Sequence, residues 1–192
     1  MSKLPDSAKL SAWVRTQVSP KRYRHVQGVV KTSKRLAARF GLSESKAQTA
    51  AWLHDCAKEL SRGEMARWIR GTPFGLDALE RKLPGLWHPH AGAAIALRKW
   101  NVRDTEVLEA IRCHTLGSEK MKPLAQVVFV ADFIEPGREF EGVREARRMA
   151  KTGLANGVRF KAGLTLEHLW KNRQVIHPRL VLTWNAFLKI VG

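Results

Sequence analysis

The stretch Pro123-Leu-Ala-Gln-Val-Val-Phe-Val-Ala-Asp-Phe-Ile134 contains Val127 to Val130, the one strand-like run of the chain. Four residues make a short strand. Pro123 suits the first turn of a helix, where its missing N–H costs nothing, and Pro136-Gly137 stops the pattern. The run therefore reads as helix, and the whole chain as all-α. Outside it, the apolar periodicity is helical. Val26, Val29, Val30, Ala37 and Phe40 share one face between Pro20 and Gly41. Ser43 caps a helix through Ala47, Ala50, Ala51 and Leu53 to about Leu60. Ser61 and Glu64 form a capping box for a short helix through Trp68. Thr72 to Trp87, rich in Gly and Pro, reads as a loop with at most a short helix. Further helices are expected over Ala91–Trp100, Val107–His114 with Asp104 as cap, Val143–Lys151, Leu154–Lys171 and Pro178–Ile190. The expectation is a single-domain helical bundle of about eight to ten helices over residues 20–192, preceded by an N-terminal extension, residues 1–19, with a short helix.

Composition narrows the function. The 192 residues carry 34 Lys+Arg against 17 Asp+Glu, a formal net charge of +17. That excludes an acidic solvating chain and favours polyanionic partners such as nucleotides, nucleic acid or an anionic membrane surface. The basic residues are scattered, so a solvated basic surface is the plainer reading. No stretch approaches the roughly 20 apolar residues of a membrane span, and no secretory signal is read at the N-terminus. Cys56 and Cys113 stand far apart, which argues against a disulfide framework and a zinc finger and for a reducing, cytoplasmic setting.

Four of the seven histidines and two aspartates are placed suggestively. His54-Asp55 is an adjacent pair, expected inside a helix. His25, His88, His114 and Asp132 sit in or at the ends of separate expected helices. His54 follows Ala50 and Ala51, His114 follows Val107 and Ile111, and Asp132 follows Leu124 and Val128, each at inward-facing spacing. A carboxylate on an apolar face is costly unless it is paired or binds a metal. A single such residue is more often a satisfied core group. Several on several helices suggest ligands converging in a bundle core. Imidazole and carboxylate together suit iron, manganese or zinc, and such metals acidify bound water to hydroxide at neutral pH.

The segments Ala51-Trp-Leu-His-Asp-Cys-Ala-Lys58, His114-Thr-Leu-Gly117 and Phe129-Val-Ala-Asp-Phe-Ile-Glu-Pro-Gly-Arg138 resemble the HD-domain metal-dependent phosphohydrolases. Within them the chain is similar to the YqeK-type symmetrical diadenosine tetraphosphate hydrolases. Phe140-Glu-Gly-Val143, Ile176-His-Pro178 and Asn185 extend the similarity into the tail. The resemblance implies His25, His54, Asp55 and Asp132 as metal ligands. It implies that His88 and His114 complete a second metal position or hold phosphate; His90, two residues on, competes with His88. It also implies Asp55 and Lys58 as catalytic residues, and Lys58 and Arg138 as phosphate-binding cations. The expected cofactor is one or two transition-metal ions, with iron first and manganese or cobalt as substitutes. Glu135 reads as a turn or supporting residue, and His168 and His177 as structural.

The implied reaction is attack of metal-bound hydroxide on a phosphorus of the bridge, giving two ADP from a dinucleoside polyphosphate substrate. An HD-type nucleotidase or nucleotide phosphatase keeps the same site and changes the substrate. A basic helical nucleic-acid-binding module without catalysis explains the charge but not the six metal-type positions. Weak non-specific nucleic-acid binding and a homodimer stay open as partners; a membrane does not. Phe74, Leu86 and Trp87 are available either to stack on a base or to pack.

Overall fold

The computed structural model describes residues 4–188. Among them are ten α-helices, two single 3₁₀ turns and no strand. The helices are α1 (Ser7–Gln17), α2 (Pro20–Arg39), α3 (Glu44–Leu53), α4 (Arg62–Ile69), α5 (His88–Arg98), α6 (Thr105–Cys113), α7 (Pro123–Ile134), α8 (Val143–Thr152), α9 (Leu154–Lys171) and α10 (Pro178–Ala186).

Helix α7 explains why its own sequence looks like a strand. Leu124, Ala125, Val127, Val128, Phe129, Val130 and Ala131 are all buried, so the helix is apolar around its whole circumference. A helix apolar on every side belongs in the centre, and α2, α3, α6, α8 and α9 pack around it. The local start and stop signals act as expected. Asp104 accepts from the N–H groups of Glu106 and Val107. The Ser61–Glu64 capping box closes in both directions. Gly41 and Gly71 take left-handed φ of 66° and 68° just beyond α2 and α4, the conformation in which glycine carries no Cβ penalty. Helix α1 buries Leu10 and Val14 completely within the main core.

Three readings change. The helix expected to reach Leu60 ends at Leu53, for a reason that belongs to the site. Helix α5 begins at His88, before the expected Ala91. The last helix is capped at Phe187, and the remainder of the expected Pro178–Ile190 span, from residue 189, lies outside the described residues. Phe74 and Trp87 are 8% and 7% exposed in the core, and Trp87 Nε1 donates to the Glu80 carbonyl. They pack rather than present a face for a base.

Candidate metal centre

Three histidines are oriented by the same local device. His54 Nδ1 lies 2.6 Å from the Ala51 carbonyl, His114 Nδ1 2.7 Å from the Ile111 carbonyl, and His88 Nδ1 2.9 Å from the Gly85 carbonyl. Each partner is three residues earlier. A carbonyl only accepts, so each Nδ1 carries the proton and each Nε2 keeps a bare lone pair. At His54 the ring takes the carbonyl that a continuing helix would give to the Asp55 N–H. The chain then runs on through tight turns, with Lys58 N–H donating to the Asp55 carbonyl at 3.0 Å. The His-Asp pair therefore sits at a helix end, not inside a helix. His25 reaches the same state differently: its Nδ1 donates to Glu135 Oε1 at 3.1 Å.

All four Nε2 atoms turn toward the buried carboxylate of Asp55. His25 and His54 each stand 3.8 Å from Oδ2. His88 and His114 stand 3.4 and 3.5 Å from Oδ1. Asp132 Oδ1 adds to the first group, 3.2 Å from His25 Nε2. Two bonds of ~2.1 Å to one ion span separations of this order. Asp55 thus lies between two groups of candidate ligands, His25–His54–Asp132 and His88–His114.

The polar accounting points the same way. His25 Nε2 and His54 Nε2 are buried without a hydrogen-bond partner. His88 Nε2 and His114 Nε2 face each other at 3.1 Å, two lone pairs that share the Thr115 hydroxyl, 3.3 and 3.1 Å away, with the Lys58 ammonium 3.3 Å from His88 Nε2 as the other donor in reach. Inward lone pairs held by outward Nδ1–H bonds fit metal ligation, in which such outer bonds fix the ring and its tautomer. Burial lowers the His54 pKa to about 4 and takes His88 well below its usual value. Both rings are neutral at pH 7, the form that ligates metal. Burial pushes the Asp132 carboxyl up, but the charges of Lys161 and Arg138 hold it well below the ordinary carboxylate range.

Cations ring the centre. Lys58 Nζ lies 3.3 Å from both ring nitrogens of His88; burial lowers its pKa against the pull of Asp55. Arg138 bonds Asp132 Oδ1 at 2.8 Å. A cavity of about 650 Å³ opens beside the first ligand group, with Lys21, Arg22, Arg24, His25 and Arg138 in its wall.

The structure brings His25, His54, Asp55, His88, His114, Asp132, Lys58 and Arg138 together. It keeps His90 apart, bonded to the Phe74 carbonyl and to Glu80 Oε1, so His88 is the histidine at the centre. His177 caps α10 through Nδ1, and His168 lies on α9 near Asn172. Glu135, 4% exposed, supports His25 and accepts from the Gly137 N–H at 2.6 Å. Sequence reasoning missed three neighbours. Arg22 Nη1 bonds Asp55 Oδ2 at 2.9 Å, and Thr115 sits between two histidines. Lys161 reaches Asp132 Oδ2 at 3.0 Å. Only Lys161 left a signal, as a lysine in step with Leu154 and Val158 on the inward face of α9.

Residues 22–137 match the model of the HD domain. The chain belongs to the HD-domain family. Among HD-domain relatives, the symmetrical bis(5'-nucleosyl)-tetraphosphatase of Bacillus subtilis is 39% identical over 91% of this chain and 93% of its own length. The protein of the same name from Halalkalibacterium halodurans is 36% identical over 91% and 93%. A crystal structure from Clostridium acetobutylicum, described as a predicted HD superfamily hydrolase involved in NAD metabolism, superposes with a TM-score of 0.90 at 29% identity, covering 96% of this chain and 98% of that one. The helical bundle is therefore the HD fold. No helix of the described residues is long and apolar enough to cross a membrane.

Proposed function

We propose that this chain is a metal-dependent hydrolase that cleaves diadenosine tetraphosphate symmetrically into two ADP. The observation that carries the reading is the arrangement of four imidazoles, each tied outward at Nδ1, with four Nε2 lone pairs turned onto the two oxygens of Asp55. The named relatives support the substrate. His25, His54, Asp55 and Asp132 would hold one ion, and His88 and His114 would complete a second metal position or hold a phosphate. Iron is the first candidate, with manganese or cobalt as substitutes. When bound, such a metal supplies Lewis acidity toward phosphoryl oxygens and acidifies water.

The chain's own groups do the rest. Lys58, beside His88, neutralises charge that develops on the non-bridging oxygens. Arg138 and the basic wall of the cavity hold the polyphosphate and align it for in-line displacement. One P–O anhydride bond breaks as one bond from the oxygen of water to phosphorus forms. The leaving ADP is a weak base and needs no dedicated acid. Residues 20–192 form the catalytic unit on this reading, with 1–19 as its extension. Two free, buried cysteines suit a cytoplasmic setting.

The test incubates purified protein with diadenosine tetraphosphate, the pentaphosphate analogue and mononucleotides, in the presence of Mn²⁺, Fe²⁺ or Co²⁺, and separates early products by chromatography. A fixed attack point two phosphates from the bound adenosine yields ADP alone from the tetraphosphate and ADP plus ATP from the pentaphosphate. In ¹⁸O-labelled water the label enters ADP. ATP plus AMP as first products, or faster release of phosphate from mononucleotides, would overturn the symmetrical reading. Sizing of the same preparation with and without RNA tests the homodimer and the weak nucleic-acid binding.

A further inference from the structure

Lys161 lies on α9, beyond the residues that match the HD model. It is 5% exposed. A buried ammonium is costly unless its three protons find acceptors. Here Nζ donates to the Phe129 carbonyl at 2.8 Å, the His114 carbonyl at 2.9 Å and Asp132 Oδ2 at 3.0 Å. These acceptors belong to both halves of the centre. The bond to Oδ2 engages one oxygen of Asp132; the other, Oδ1, accepts from Arg138 at 2.8 Å and faces His25 Nε2 at 3.2 Å. The bond to the His114 carbonyl holds the end of α6, from which the His114 ring turns toward Asp55. One side chain therefore spans α6 and α7 at the two residues that enter different ligand groups. Nζ also stands 4.0 Å from the centre of the Phe129 ring, a cation–π contact.

We propose that Lys161 is a positioning residue that presets Asp132 and His114 for metal, so that the tail after the HD match is a working part of the metal centre. The role explains why a lysine stands where the inward face of α9 otherwise carries Leu154, Val158 and Ala162. Packing alone is served as well by methionine, which is unbranched, one atom shorter and has no charge to satisfy. The inference rests on the metal reading above, and the test separates the two.

Wild type, Lys161→Met and Lys161→Gln are stripped of metal as full-length chains. Their fold is checked by helical circular dichroism and cooperative melting, and Mn²⁺ is titrated calorimetrically. Both variants are expected to fold and to bind Mn²⁺ about 10- to 100-fold more weakly, the usual loss when an outer partner of a metal ligand is removed. A folded variant that loses less than about fivefold overturns the proposal and leaves the metal centre standing; if only one variant folds, that one decides. Loss of fold in both also overturns it, because the lysine is then a strut of the core. A wild type that binds no Mn²⁺ removes the metal reading itself, and this inference with it.

Discussion

At the scale of single residues, the centre is a set of tautomers imposed by short-range bonds. Asp55 sits between both histidine groups, so Asp55→Ala should abolish hydrolysis and strip bound metal while leaving the helices packed. Normal metal content by elemental analysis would contradict that role. Lys58→Met keeps the aliphatic stem and removes only the charge. It should lower kcat on the order of 100-fold with little change in KM or metal content, and steady-state kinetics check this. The neutral, buried His54 makes the metal-free fold pH-dependent. Its pKa is about 4 in the fold against an ordinary value near 6.5, so the unfolded chain takes up the proton first. Stability is full above about pH 6.5 and falls through the window down to about pH 4, by roughly 3 kcal/mol in total from this group. Denaturant titrations of the apo-protein at pH 7 and pH 4.5 measure the difference. The residue types and positions of the centre were legible from the sequence. The partners of their Nδ1 atoms were not, since a carbonyl three residues back is within reach only once the helix has ended.

At the scale of elements, one close approach supports the centre from outside and a second ties the fold together away from it. A Cβ on Gly28 of α2 would overlap the Glu135 carboxylate, the group that holds His25. Gly28→Ala should displace Glu135 and weaken Mn²⁺ binding about tenfold with the helices intact; unchanged affinity in a titration would show that Glu135 is dispensable. The second approach joins the 72–87 loop to α10. Arg179 bonds Glu80 Oε1 at 2.8 Å and Asp77 Oδ2 at 3.0 Å, and His90 bonds the same Glu80 oxygen. Burial pushes the Glu80 carboxyl up, but the bonds to His90 and the Asp77 N–H and the Arg179 charge bring it down to about 2. Its contribution is present above the ordinary carboxylate value and is lost as pH falls toward 2. Glu80→Gln should cost about 3 kcal/mol at pH 7 and leave metal affinity unchanged, the reverse pattern to His88→Gln. Periodicity and caps were enough to read the helices. The early stop of α3 was not readable, because His54 competes with the backbone for the Ala51 carbonyl only in this conformation.

At the scale of the molecule, a small part of the charge of +17 gains a location. Lys21, Arg22, Arg24 and Arg138 stand in the wall of the cavity beside the centre, together with Glu59 and Glu135, and on the proposed function the polyphosphate lies there. Lys21→Glu with Arg24→Glu should raise KM for the tetraphosphate about tenfold while kcat changes less, and KM of the wild type should rise with ionic strength as screening sets in. A KM indifferent to both would place the substrate elsewhere.

The sequence alone was sufficient for the all-α class and most helix boundaries, and its resemblance to the HD-domain hydrolases for seven of the side chains that meet at the centre, with His88 and His90 left as alternatives for the eighth. Those depend on local propensity and on motifs that short segments carry whole. Tertiary structure alone decided between His88 and His90, which are two residues apart and equally eligible by type, through the carbonyls and carboxylates that other elements bring to each ring. It also brought Arg22 and Lys161 to Asp55 and Asp132 from 33 and 29 residues away. No local rule records such pairs, because the chain joins them only by packing α2, α3, α7 and α9 around one another.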